Sequence, residues 1–320
     1  MNPFTDNTAE SVASLGETAL IERVREWLGP CVPPSPEGMG DDCAVTEPKA
    51  NLITCDSLIY GKHFDKDCLP ELAGEKLLKR NVSDIAAMGG LPANAVVAMF
   101  LPATTSLAWV EGFCKGLSRA AERFSTRIVG GDIAESEAPF LAATLTLTGR
   151  ARRPLLRGTA KAGDVLFVSG PLGCSIDGHH LTFEPRVEQG MFLSFLPEVS
   201  SCMDLSDGLG KDLPSLCGAK LAASLNIDEL PPPAETLANA DGDREAILRH
   251  ILCDGEDYEL AFTVSAEAAD GFEESWNDRF GAPPFRIGTI VAREGDGPQL
   301  LDAATGKALE YKGYEHLRQA

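Results

Sequence analysis

Six aspartates recur in similar settings along the chain: Asp42 in GMGDD, Asp56 at the end of ITCD, Asp84 in NVSDIAAMGG, Asp132 in IVGGD, and Asp204 and Asp207 in CMDLSD. Most of them follow an apolar, strand-like run, and strand-end turns are where a rigid sheet presents functional groups. If the loops carrying Asp42 and Asp84 converge on the same place, six carboxylates repel one another strongly at neutral pH unless cations neutralise them. All-oxygen ligation favours Mg²⁺, Mn²⁺ or Ca²⁺ over zinc, and Mg²⁺ shares its remaining positions with waters and substrate phosphates. The chemistry implied is metal-assisted work on a polyphosphate. Taken singly, each Gly-Asp-Asp or Ser-Asp is a turn or a cap. Ser206 or Asp207 would serve as the N-cap of a helix starting there, a reading that leaves Asp204 unexplained.

Other groups add less. His63 in YGKHFD follows Asp56 closely enough to reach the same cleft, and a structural role fits it equally. His179 and His180 are adjacent, so their rings diverge on a strand or a helix, and the pair reads as structural or surface. The glycines of GGD and SGPLG supply positive φ or cradle phosphate. Neither Gly-x4-Gly-Lys-Ser/Thr nor Gly-x-Ser-x-Gly occurs.

The elements that must position these residues are legible from periodicity. Residues 17–28, ETALIERVREWL, carry apolar groups at helical spacing. NLITCDS and NAVVAMFLP (94–102) read as strands, with a helical region between them in ELAGEKLLKRNVSDIAAMGG. Residues 108–124 form an amphipathic helix that covers a sheet, and TRIVGGD and FLAATLTLTG (140–149) supply two more strands. Basic residues, Gly and Pro gather in RARRPLLRGTAKAG, which places a domain boundary near residue 150 and divides the chain into 1–150 and 151–320.

Composition bounds the function. The chain has 320 residues, enough for two domains, and a formal charge of −20, which argues against non-specific nucleic-acid or anionic-membrane binding. Nine cysteines without a Cys-x-x-Cys pair fit reduced, cytoplasmic thiols. No apolar run is long enough to span a bilayer.

Seven motifs, MGDDCAV, ITCDSLIYGKHF, NVSDIAAMGG, IVGGD, LLRGTAKAGD, MDLSDGL and DGEDYEL, stand in an order and spacing that resemble the thiamine-monophosphate kinase family over about residues 17–314. That family lies in the superfamily of aminoimidazole ribonucleotide synthetase and selenophosphate synthetase. The resemblance implies a two-domain α/β (α+β) architecture: an N-terminal α+β domain for ATP and Mg²⁺ binding and dimerisation, and a C-terminal α/β domain that completes the cleft. It implies a homodimer that transfers the γ-phosphoryl group of ATP to thiamine monophosphate with several Mg²⁺ ions. Asp42, Thr54, Cys55, Asp56, Asp84, Asp132, Asp204 and Asp207 match metal-binding positions. Gly131, Asp132, Arg157 and Ser206 match ATP contacts, and His63, Glu256 and Tyr311 match substrate contacts. No general base is implied, because the acceptor phosphate is already anionic; charge neutralisation by the metal site and Arg157 is the catalytic requirement.

Three positions depart from the family pattern. Cys55 replaces the usual threonine, which removes a hard hydroxyl and leaves a backbone carbonyl to serve a metal there. Ile133 follows GGD where threonine is common, and Asp254 replaces the first glycine of GGEDYEL. The alternatives are a superfamily enzyme phosphorylating another small acceptor, or a nucleotide-binding dimer without activity.

Overall fold

The structure, a computed structural model, describes residues 42–46, 51–311, 313 and 314, together with 19 and 22. The helix expected over 17–28 lies outside the described residues, apart from Ala19 and Glu22, which are helical.

The first sheet is built from β1 (Ala44–Thr46), β2 (Asn51–Ile59), β3 (Gly90–Pro102), β4 (Arg127–Ser136) and β5 (Ala142–Ala151) in the order β1-β2-β5-β3-β4. Two helices cover one face, α1 (Pro70–Ala87) and α2 (Leu107–Arg123). Only β3 and β4 run parallel, and α2 is the crossover that such a pair requires. α1 starts on a proline at its first position, where the missing N–H costs nothing. Leu77, Leu78, Val82, Ile85 and Phe113 pack with Leu52, Leu145 and Leu147 of the sheet to form the core. The two helices approach closely because both carry glycine at the crossing: a Cβ on Gly74 would lie 2.0 Å from the Phe113 carbonyl oxygen, and one on Gly116 only 1.8 Å from that of Glu71.

The opposite face of this sheet keeps large apolar side chains in the open. Val96 is 43% exposed and Phe100 36%. Strand alternation puts both on the side away from α1.

The second sheet contains β6 (Val165–Val168), β7 (Val199–Asp204), β8 (Leu221–Leu225), β9 (Leu260–Val264), β10 (Phe285–Ala292) and β11 (Leu300–Asp302), ordered β11-β8-β10-β6-β9-β7. Its helices are α3 (His179–Thr182), α4 (Val187–Phe195), α5 (Leu209–Cys217), α6 (Ala234–Asn239), α7 (Arg244–Cys253) and α8 (Ala269–Phe280). β6 (VLFV) and β9 (LAFTV) are buried at every residue, as strands covered on both faces must be. Leu205, Leu213, Leu252 and Ile287 fill one side, and Phe167, Phe262, Phe272 and Trp276 stack on the other. The mixed α/β class expected from the sequence is what the chain adopts, although most pairs in the second sheet are antiparallel. Among the described residues no helix is long and apolar enough to cross a membrane.

Candidate active site

β2 turns Thr54 and Asp56 toward α1, whose last turns carry the partners. The Thr54 hydroxyl donates to Asp84 Oδ2 at 2.5 Å, and the Asp56 backbone N–H donates to Asn81 Oδ1 at 3.2 Å. One residue back along α1, the Ser83 hydroxyl donates to Asp204 Oδ2 at 2.5 Å, linking the helix to the end of β7. Asp42 is drawn in by Arg157, whose Nη1 lies 3.2 Å from Asp42 Oδ1.

Asp42, Asp56, Asp84 and Asp204 thus surround one place. Burial, reinforced by Asp56, Asp204 and Asp42, pushes the Asp84 carboxyl well above its ordinary range. Burial, followed by the Asp42 charge, raises Asp204 to about 8. Carboxylates gathered this way favour a proton or a cation between them. The donor set fits a hard divalent cation: the anchoring groups around it are oxygens, and hydroxyls fix one oxygen of Asp84 and one of Asp204 while the other stays available to an ion.

Beside the cluster opens a cavity of about 420 Å³ whose lining includes His63, Arg80, Ser206, Asp207, Glu256 and Tyr314. The two acidic motifs that frame it are held together by backbone hydrogen bonds: Leu205 N to Glu259 O at 2.8 Å, Glu256 N to Ser206 O at 2.7 Å, and Tyr258 N to Leu205 O at 2.8 Å. Gly255 is required at this junction, since a Cβ there would lie 2.7 Å from the Ser206 carbonyl oxygen. Glu256 and Tyr258 adopt left-handed backbone, φ 64° and 53°, which is costly for residues other than glycine and is found where surrounding structure enforces it.

α1 supplies a polar stripe that the sequence reading passed over. Lys76, wholly buried, donates to Glu256 Oε2 at 2.8 Å and to the His63 carbonyl at 2.9 Å. Burial lowers the Lys76 pKa, and Glu256 partly offsets this. Arg80 donates to the Ser57 carbonyl at 2.6 Å and lies 3.4 Å from Asp56 Oδ1. Burial alone would lower its pKa, but Tyr258, Asp56, Glu256 and Asp84 raise it overall. The signal was available: Lys76, Arg80, Ser83 and Asp84 recur at three- and four-residue intervals along the helix.

Several expectations need correction. The helix after MDLSD is capped by Gly208, not by Ser206 or Asp207, and no side chain caps it. Instead the buried Asp212 reaches back, accepting from Ser206 N at 3.1 Å and Asp207 N at 3.0 Å, so the loop is fixed from inside the helix. Asp207 faces the cavity and pairs with Lys211 Nζ at 2.7 Å. Tyr311 packs partly buried against the second sheet's core, whereas Tyr258 and Tyr314 line the cavity. The Cys55 side chain is exposed, with Thr146 Oγ1 at 3.3 Å from its sulfur, on the sheet face away from Asp56. A hydroxyl at position 55 would not reach the cluster within this chain, so the replacement costs it no side-chain ligand.

Asp132 is also set apart. Asp56, Leu145, Val97 and Gly131 are successive partners across β2, β5, β3 and β4, and buried Leu145 and Val97 mark the face covered by the helices. Asp132, next along β4, points to the opposite face, and its strand lies three positions from β2, roughly 14 Å away at ordinary strand spacing. Within one chain Gly131 and Asp132 do not join the other aspartates. His63 serves both roles considered for it: Nδ1 accepts from Ile59 N at 3.0 Å, and the residue lines the cavity. His179 and His180 diverge, one toward the Asp257 carbonyl and the other toward that of Ser175.

Residues 40–151 match the family of AIR synthase related proteins, N-terminal domain. The chain is 35% identical to the thiamine-monophosphate kinase of Rhodopirellula baltica, over 81% of this chain and 84% of that one. It is 31% identical to the Aquifex aeolicus enzyme of the same name, over 94% and 98%. Among solved structures, one described as AaThiL complexed with AMPPCP and TMP superposes with a TM-score of 0.80 at 30% identity, covering 96% of this chain and 98% of that one. The hydrogenase maturation protein HypE of E. coli, at 18% identity and TM-score 0.65, shares the fold, covering 81% of this chain and 85% of its own. With identity at this level over most of both chains, the chain belongs to the thiamine-monophosphate kinase family.

Proposed function

We propose that the protein phosphorylates thiamine monophosphate to thiamine diphosphate, taking the γ-phosphoryl group of ATP by direct in-line transfer. The observation that carries this reading is the cluster of Asp42, Asp56, Asp84 and Asp204 beside a cavity lined by Ser206, His63 and Glu256. Both reacting groups are anionic phosphates, so the barrier is mutual repulsion rather than creation of a nucleophile. Mg²⁺ bound there would neutralise phosphate charge and orient the two substrates. Its ligands would be those four aspartates with Thr54, the Cys55 carbonyl and Asp207, whereas Asp132, on the other face of the sheet, would reach such a site only from a second copy of the chain.

Arg157 and Ser206, with Gly131 and Asp132, would hold ATP. His63 and Glu256 would hold thiamine monophosphate, with Tyr314 in the place expected for Tyr311. Lys76 fixes Glu256 and the His63 backbone together and so sets the cavity's shape. The division of labour follows the two halves of the chain, 1–150 and 151–320. The protein incubated with ATP, Mg²⁺ and thiamine monophosphate should yield thiamine diphosphate and ADP, and EDTA should abolish the yield. Failure of a folded, nucleotide-binding sample to form product would end the proposal.

The acidic cluster also sets a pH dependence. The Asp204 carboxyl moves from an ordinary value of 3.8 up to about 8 on folding. A carboxyl raised by folding adds stability that is complete below its unfolded pKa and is lost as pH rises through the folded one. Metal-free protein should therefore lose melting temperature between about pH 5 and about pH 8.5, and Mg²⁺ should raise it more at the upper end. A melting temperature that is flat across that window with and without Mg²⁺ would contradict the assignment.

The exposed apolar face carrying Val96 and Phe100 is also the face to which Asp132 points. A homodimer formed through it would bury these side chains and place Asp132 at the subunit junction. Val96→Glu combined with Phe100→Glu should give a monomer by sedimentation, with kinase activity reduced at least about 10-fold. A double variant that remains dimeric would exclude this face as the interface.

A further inference from the structure

A second group of ligand-type side chains lies outside the aspartate cluster and has different chemistry. Cys174, on the loop after β6, meets His250 and Asp254 at the end of α7, and their ligand atoms all lie within 4.8 Å of one another. His250 Nδ1 is 2.8 Å from Asp254 Oδ2, and the same oxygen accepts from the Cys174 backbone N–H at 2.9 Å. Cys174 is a free thiol, 4% exposed, on left-handed backbone at φ 54°. Asn239 Nδ2 lies 3.6 Å from its sulfur, a donor suited to a thiolate. The His250 and Asp254 side chains are about one-third and one-quarter exposed, which leaves a way in from solvent.

We propose that Cys174, His250 and Asp254 form a binding site for a Zn²⁺-class transition metal, separate from the oxygen-only cluster. A thiolate, an imidazole and a carboxylate together prefer zinc-like ions to Mg²⁺. Zinc–ligand bonds of about 2.0–2.3 Å put tetrahedral ligand atoms roughly 3.3–3.8 Å apart, so the 2.8 Å edge between His250 and Asp254 has to open slightly while the sulfur, within 4.8 Å of both, closes in. On binding, the thiol proton leaves to solvent, the sulfur ligates as thiolate, and the imidazole ligates as the neutral ring. The Nδ1 proton between His250 and Asp254 leaves to solvent while Nε2 takes one up, so the ring stays neutral and its Nδ1 lone pair faces the metal. Three protein ligands leave a fourth position for water. The site also sits at the C-terminal end of the ten-residue α7, where the helix dipole favours a cation.

Placement gives the ion leverage. Cys174 lines a cavity of about 480 Å³, while Asp254 lines the 420 Å³ cavity of the candidate active site. A bound ion would tie the loop bearing Cys174 to the end of α7 and stiffen the wall between the two spaces. The site itself does not depend on the kinase reading.

Cobalt reports it directly, because a thiolate ligand gives Co²⁺ a near-ultraviolet charge-transfer band that oxygen ligands do not. Full-length protein titrated with Co²⁺ in excess Mg²⁺ should develop this band to one equivalent, and Zn²⁺ should remove it. Cys174→Ser should abolish the band, and His250→Ala and Asp254→Asn should weaken Co²⁺ binding at least about 10-fold. Cys55→Ser should keep both band and affinity. His250→Ala, at a position about one-third exposed, carries the test if Cys174→Ser does not fold. No band in the native protein, a band that survives Cys174→Ser, or unchanged affinity in His250→Ala would overturn the proposal.

Discussion

Asp204→Asn is expected to move activity and stability in opposite directions: at least about a 100-fold loss of kinase turnover, together with a higher melting temperature for the metal-free protein near pH 8. Asp204 is 3% exposed, and its carboxyl is raised to about 8 by burial first and by Asp42 next. At that pH a large share of the molecules carries the charge against Asp42 and Asp56. Asparagine removes the repulsion, and its carbonyl oxygen still accepts from the Ser83 hydroxyl, which donates to Asp204 Oδ2 in the native protein. An ADP-release assay and melting curves with and without Mg²⁺ read both effects. Mg²⁺ should stabilise the variant less than the native protein. A variant that is destabilised yet active would remove Asp204 from any metal-binding role. Asp207→Asn should be milder in stability, since Lys211 already balances that charge.

Lys76→Met is expected to cost about 3–5 kcal/mol of stability, the usual consequence of removing one partner from a buried ion pair. Methionine fills much of the same volume, so the loss comes from polar groups rather than from a void. The Lys76 ammonium has no exposure of its own and engages both Glu256 and the His63 carbonyl. Without it a carboxylate at the cavity wall loses its counter-charge, and the His63 turn loses its tether. Because both residues face the cavity, the KM for thiamine monophosphate should rise at least about 10-fold while the KM for ATP changes less. Urea unfolding measures the first effect and substrate titration the second. Equal stability in the variant would mean that the ion pair is not formed in solution.

Much of this was legible in the chain. The strand carrying Asp56 and the helix carrying Asp84 were visible because period-two and period-3.6 patterns are local, but Asp56 stands inside the strand, which runs on to Ile59, rather than in a turn at its end. The grouping of Asp204 with this region was inferred from the likeness of their settings, and in the fold its carboxylate accepts from Ser83. Register was not visible. Whether Asp132 shares a face with Asp56 depends on the pairing of four strands, and a shift of one residue would have reversed the outcome. The cap at Gly208 was misjudged for a related reason: Asp212 makes the bonds expected of a cap from a position within the helix. Tyr311 and Tyr314 stand three residues apart in one short stretch, and spacing alone could not say which faces the cavity.

The placement of α1 has a mechanical consequence. It lies on the first sheet through Leu77 and Ile85, reaches β7 through Ser83, and is pressed by α4 so closely that a Cβ on Gly190 would lie 1.9 Å from the Ala86 carbonyl oxygen. A strut fastened at both ends leaves little freedom for the halves to swing about the carboxylates. Opening and closing for substrate traffic therefore falls to the cavity rim, where Lys62, Ile176 and Tyr314 stand, and the slow motion in turnover should belong to these short segments rather than to a hinge.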